Sequence, residues 1–198
     1  TRSDVFPQVV ETLHQLLLHE NPTKINAVEM AGRNTEDIIS MVKLTQKQNI
    51  SVRFIEEMPF NGSGSDKVEL LWNHKKIIDH IREEYPNLEK LKDPKNSTSF
   101  NYQIPNFQGT IGVIAAYSRL FCGTCNRIRL TPQGVLKTCL YDDGIFNIKD
   151  LLRAGASDEQ LATTLKEALS NRAKDGFEAE RKRNFGIPVS ESMATIGG

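Results

Sequence analysis

The sequence predicts an α/β chain in two parts. Residues 1–88 form a parallel sheet of βα units, and residues 89–198 form a small α+β part with a mainly antiparallel sheet. Three observations predict this. Helical and strand periodicities alternate over the first 58 residues, the pattern of a parallel sheet. The polar stretch from Leu88 to Ser99, which contains Pro94, reads as an exposed linker. Beyond it, short alternating runs flank Thr131-Pro132-Gln133-Gly134, a hairpin turn signal.

Asp4 to about His19 carries Val5, Val9, Leu13, Leu16 and Leu17 on one side and reads as an amphipathic helix, ended by Asn21-Pro22. Lys24 to Glu29 reads as a short strand. Asn34 before Thr35-Glu36-Asp37 is a helix start, and Ile38, Ile39, Met41, Val42 and Leu44 supply the apolar face that follows. Ser51 to Met58 is a second strand, stopped by Pro59. Phe60 to Asp66, rich in glycine and serine, reads as a connection, because no lysine–threonine ending marks it as a phosphate loop. Trp72 to Tyr85 reads as a helix with Ile77, Ile78 and Ile81 inward and His74 and His80 at the surface. Phe100 to Ile104 and Thr110 to Ala116 read as strands, as do Asn126 to Leu130 and Val135 to Leu140. Helices follow from Ile148 to Arg153 and from Ser157 to Arg172, the second opened by the capping-box pair Ser157 and Gln160. The composition of Ala173 to Gly198 is that of a frayed terminus.

Lys24, Asn26, Arg53 and Glu56 are polar residues within the first two strands. Alternation places Lys24, Asn26 and Val28 on one face, and Arg53, Ile55 and Glu57 likewise. Any one of them reads as a solvent-facing residue of an edge strand. As a set, in strands that a parallel sheet buries on both faces, they line an interior only if something charged occupies it. Lysine plus arginine and aspartate plus glutamate each total 25, so the net charge is zero. That excludes a chain whose main task is to coat nucleic acid or an anionic membrane. No apolar run approaches the length of a membrane span. Few cysteines, held together as if for a metal, point to a reducing cytoplasm.

All three cysteines lie in the stretch FCGTCNRIRLTPQGVLKTC: Cys122 and Cys125 in a Cys-x-x-Cys, and Cys139 after thirteen more residues. A disulfide between the first two would leave the third odd, and a thioredoxin-like pair should open a helix. Here Arg127-Ile128-Arg129-Leu130 alternates as a strand does. Metal binding is therefore favoured, with Arg127 and Arg129 offering guanidinium forks suited to phosphate. A zinc site would need a fourth ligand from His14, His19, His74 or His80, none near in sequence. An iron–sulfur cube on three thiolates would leave one iron open. Spacing alone leaves zinc and iron–sulfur level.

The cysteine block, with KINAVEM, SVRFIEEMPF and the terminal IGG, resembles the C-terminal portion of the radical S-adenosylmethionine family of GTP 3′,8-cyclases. These are lyases of molybdenum cofactor biosynthesis. The resemblance covers essentially the whole chain. It implies the last part of an incomplete (βα) TIM-like barrel, followed by a small α+β domain carrying an iron–sulfur site. It implies that Cys122, Cys125 and Cys139 hold a [4Fe-4S] cluster whose open iron meets the purine of GTP. It assigns Lys24, Arg127, Ile128 and Arg129 to GTP, and Met58, Asn26 and Arg53 to the S-adenosylmethionine side of the cavity. Gly197 and Gly198 match a tail that reaches into the active site and is needed for activity. A homodimer, and no nucleic acid or membrane partner, are the remaining implications.

The family's Cys-x-x-x-Cys-x-x-Cys, which holds the cluster that cleaves S-adenosylmethionine, is not in this sequence. Without that barrel half no electron reaches the sulfonium. The expectation is therefore a fragment that is inactive alone and needs the missing N-terminal barrel half as a partner. The other reading is a zinc-stabilised binding module with no catalytic role.

Overall fold

The computed structural model describes residues 4–58 and 71–183. The described residues fall into two compact units, 4–57 with 71–118, and Met58 with 119–183. This is not the division at 88/89 that the polar stretch suggests. Leu88 is buried in the first core, and Glu89–Lys90 form a strand of the first sheet. Asp93, instead of lying in solvent, accepts from the Asn101 backbone at 2.8 Å and from Lys90 at 2.7 Å.

The first unit runs α1 (Phe6–Leu18), β1 (Thr23–Glu29), α2 (Ile38–Lys47), β2 (Ile50–Glu56), α3 (His74–Glu84), β3 (Glu89–Lys90), β4 (Phe100–Gln103) and β5 (Thr110–Ile114). Its sheet has the order β1-β2-β5-β4-β3, parallel between β1 and β2 and between β2 and β5, antiparallel beyond. The chain is thus mixed α/β, and β4 and β5 belong here, not to the small antiparallel sheet expected downstream. In β2 every second residue is buried: Ile50, Val52, Phe54 and Glu56. Ile77, Ile78 and Ile81 of α3 cover that face as their spacing requires. Full burial of a side chain such as Phe54 stabilises by about 2 kcal/mol.

Helix α2 differs from expectation in which residue turns inward. Ile38 and Val42 are buried with Thr45, while Leu44 is exposed. Thr45 tolerates the core because its hydroxyl donates to the Val42 carbonyl at 2.7 Å. Asn34 does not cap this helix. Its side chain accepts from Met30 N at 2.9 Å and donates to Val28 O at 2.8 Å, so it shapes the exit from β1, and a 3₁₀ turn at Thr35–Asp37 leads into α2. Helix α1 has the predicted apolar stripe, yet none of its residues is buried; Leu17 alone of them packs on the core. Both expected surface histidines are half-buried, His74 beside Phe100 and His80 edge-on to Trp72.

The second unit contains β6 (Arg129–Leu130), β7 (Val135–Lys137), β8 (Phe146–Asn147), α4 (Ile148–Arg153), α5 (Asp158–Ser170) and α6 (Gly176–Lys182). The expected hairpin forms, with Arg129 opposite Lys137 and Leu130 opposite Leu136, and β8 adds a third antiparallel strand. Gly134 closes the turn at φ +89°, and its N–H donates to Thr131 O at 2.9 Å. The capping box at Ser157 and Gln160 is present in both directions. The expected frayed terminus holds an ordered start: α6 is capped by Asp175, whose carboxylate accepts from Glu178 N at 2.7 Å. The glycine-rich connection from Phe60 to Asp66 and the pair Gly197 and Gly198 lie outside the described residues. Among the described residues, no helix is long and apolar enough to cross a membrane.

Candidate functional site

The second unit brings the three cysteines into one neighbourhood. Cys122 opens a 3₁₀ turn, Cys122–Thr124, and the Cys125 N–H donates back to Cys122 O at 3.2 Å. Cys139 follows directly on β7 through Thr138. All three thiols are free and half-buried. Burial pushes the Cys122 thiol up, against the Gly176 N–H that donates to it, and Cys125 adds to the rise. Burial also pushes Cys139 up, with Asp142, Cys122 and Cys125 adding to it and the Tyr141 N–H, at 3.5 Å from its sulfur, opposing. Cys122 and Cys139, both pushed up with Cys125 adding to the rise, belong to a three-thiol site whose ionised state needs a cation or a cluster.

Arg129 is held in the same field. Burial and Arg127 lower its guanidinium, while Cys125 and Cys139 act to raise it. Arg127 is exposed, its guanidinium 5.9 Å from the Phe121 ring, and Ile128 between them is 49% exposed. Met58 packs with Cys139 and Leu140 on the buried pair Tyr141 and Ala179.

Several residues that sequence reasoning missed hold the loops. Asp142 accepts from Thr138 N at 3.0 Å, Cys139 N at 2.7 Å and Gly144 N at 2.9 Å, which fixes the turn after the third cysteine. Its signal in the sequence is the Asp-Asp-Gly turn chemistry. Arg172, 47 residues beyond Cys125, donates to that residue's carbonyl at 2.8 Å. Gly176 leaves just enough room: a Cβ there would lie 3.4 Å from Cys122 Sγ, 3.1 Å from Tyr141 and 3.0 Å from Arg119. Nothing local in the sequence points to either.

Among the described residues, no three His, Cys, Asp or Glu side chains converge closely enough to hold one metal ion. A single tetrahedral zinc needs its ligands around one point, at about 2.3 Å from each sulfur. A cube instead takes each thiolate on a separate iron and is tuned by hydrogen bonds to the sulfurs. The amides of Gly176 and Tyr141 directed at Cys122 and Cys139 are donors of that kind.

The first unit carries the other predicted residues. Lys24 and Asn26 of β1 share a face of the sheet with Arg53 of β2, opposite the face packed on the core. Asn26 is in register with Arg53, and Arg53 with Gly112 of β5. A Cβ at Gly112 would fall on Ser99 Oγ and lie 3.0 Å from Arg53 Cγ, so the glycine gives the arginine room. Arg53 Nε is buried without a hydrogen-bond partner, a donor left over for an anionic group. Lys24, second residue of its strand, lies toward the N-terminal ends, where it lines a cleft of about 580 Å³ with Ser51 and Thr110. Glu56 turns to the other face, where it accepts from His74 N and Ser118 N, each at 2.7 Å, and from Ser118 Oγ at 2.8 Å.

Fold and site together define a mixed α/β protein whose second unit joins a three-thiol site to guanidinium groups. Residues 50–178 match the family model described as Molybdenum Cofactor Synthesis C. Molybdenum cofactor biosynthesis protein 1 of Mus musculus is 39% identical over 170 residues, which is 85% of this chain and 27% of the mouse protein. The mitochondrial GTP 3′,8-cyclase of Arabidopsis thaliana is 34% identical over 87% of this chain and 44% of its own length. The GTP 3′,8-cyclase of Chlorobaculum tepidum is 29% identical over the whole chain and 58% of its own length. The chain belongs to the Molybdenum Cofactor Synthesis C family, in agreement with the resemblance to the C-terminal portion of the cyclases, and it spans between 27% and 58% of the length of these relatives.

Proposed function

We propose that the chain is the C-terminal portion of a GTP 3′,8-cyclase, which converts GTP, with S-adenosylmethionine, to (8S)-3′,8-cyclo-7,8-dihydroguanosine 5′-triphosphate. The observation that supports this reading best is the thiol site: three free cysteines in one neighbourhood, two of which, Cys125 and Cys139, act on Arg129, within the stretch the family model matches. Cys122, Cys125 and Cys139 would hold a [4Fe-4S] cluster by three of its irons. When bound, it supplies one open iron as a contact for the purine.

The chain's own residues bind and orient. Arg127 and Arg129 offset triphosphate charge through their forks, with Lys24 as a further cation and Ile128 as an apolar contact. Met58, Asn26 and Arg53 serve S-adenosylmethionine, and Gly197 and Gly198 complete the active site. These are positioning roles, which hold the ribose 3′ carbon against guanine C8 and move no proton. The radical-generating barrel half is a partner the reaction requires, the chain alone does not turn over, and the intact enzyme is a homodimer.

The test is anaerobic reconstitution with iron and sulfide, followed by metal and acid-labile sulfide analysis and the visible spectrum. About four irons and four sulfides per chain are expected. Zinc without sulfide would overturn the reading in favour of a zinc module. With the cluster in place, Arg127→Ala or Arg129→Ala weakens GTP binding by calorimetry about ten-fold or more. Unchanged affinity would remove the arginines from that role.

A further inference from the structure

Among the described residues of the second unit, Arg119 is a buried charged residue held from several sides. It sits at φ +56°, in the left-handed region that residues other than glycine rarely occupy, and is 7% exposed. Its carbonyl accepts from Cys122 N at 3.1 Å, so the strained residue itself begins the cysteine turn. Its guanidinium lies 3.6 Å from the Tyr141 ring centroid and 4.5 Å from that of Phe177. One Nη donates to Gly176 O at 3.0 Å and to Glu180 at 2.8 Å. Nε is buried with no hydrogen-bond partner.

These contacts join three segments that are distant in sequence. Tyr141 is two residues beyond Cys139, Gly176 presents its amide to Cys122, and Arg119 touches both. Thiolates bound to a cluster form a net-negative site, and its potential depends on nearby charge and donors. A buried cation is costly unless something opposes it. Glu180 opposes part of the charge from a half-exposed position, and the left-over Nε donor has no protein acceptor.

We propose that Arg119 is a positioning residue of the three-thiol site, fixing the Cys122 turn to the Cys139–Tyr141 turn and to α6 and supplying fixed positive charge to a cluster bound there. The proposal rests on the iron–sulfur reading above. It goes beyond that reading by naming a residue outside the cysteine and arginine motif.

The experiment compares the reconstituted chain with Arg119→Gln, Arg119→Lys and Glu180→Gln. The readouts are the rate of iron loss to a chelator and the midpoint potential by redox titration. Arg119→Gln is expected to lose iron about ten-fold faster, the usual scale for such supporting contacts, and to shift the potential negative, because reduction then adds an electron with less positive charge nearby. Arg119→Lys keeps the potential closer to the starting chain but not the retention, since the ammonium carries charge without the fork and the stack. Glu180→Gln removes the counter-charge and shifts the potential positive, an opposite sign that a purely structural role does not produce. Should Arg119→Gln fail to fold, Glu180→Gln decides alone: an unchanged potential overturns the proposal. Wild-type iron retention and potential in Arg119→Gln overturn it as well. A starting chain that takes up no iron and sulfide removes the cluster reading and this inference together, whereas uptake with indifferent variants removes this inference only.

Discussion

Glu29 allows the sharpest quantitative prediction. It ends β1 at 2% exposure, on the core-packed face, with Oε2 buried and without a hydrogen-bond partner. Its register partner Glu56 is as deeply buried, yet three donors satisfy Glu56. Burial, and then the charge of Asp37, raise the Glu29 carboxyl from 4.5 to about 7. Between these two values the folded chain binds the proton more tightly than the unfolded chain does. The group's contribution to stability is therefore fully present below the unfolded value and lost as pH rises through about 7. At 1.36 kcal/mol per pKa unit, the loss is about 3 kcal/mol. Glu29→Gln keeps the shape and cannot ionise, and its amide can donate toward Asp37. Trp72, the single tryptophan, packs on the same core, so its fluorescence reports unfolding of the first unit. In urea titrations, the wild-type chain should lose about 2.5 kcal/mol more than Glu29→Gln between about pH 5 and about pH 8. Every other titrating group is common to both proteins and cancels in the difference. Parallel pH profiles would refute the argument that this carboxyl is ionised at a cost inside the fold.

Two structural predictions accompany the binding and potential measurements described above. Gly109→Ala places a Cβ on the Ile50 carbonyl oxygen and 2.7 Å from that of Gln48, both backbone atoms that cannot rotate away. It should cost about 2 kcal/mol or more in the same fluorescence titration, and a loss below the noise would show that β5 can shift without penalty. Asp142→Ala strips the acceptor from the Thr138, Cys139 and Gly144 amides. Hydrogen exchange at the first two should quicken in line with about 2 kcal/mol of lost protection, and unchanged exchange would mean the turn holds without its carboxylate.

The sequence by itself determined what is local. Period-two and helical spacing identified β1, β2 and α3, the Thr131–Gly134 signal identified the hairpin, and the capping box marked the start of α5. The grouping of Cys122, Cys125 and Cys139 with two arginines was equally legible, since the motif lies within eighteen residues. The tertiary structure alone decided which strands share a sheet. Thr110–Ile114 pairs with β2 across more than fifty residues, and Leu88 enters the core instead of a linker, because burial depends on which distant face covers a segment. The same reason separates Thr45 from Leu44, and the unsatisfied Glu29 from the satisfied Glu56. It also explains why Arg119 carries no sequence signal: its hydrogen-bond partner Gly176 is 57 residues away, and only folding brings that carbonyl to a guanidinium beside the cysteine turn.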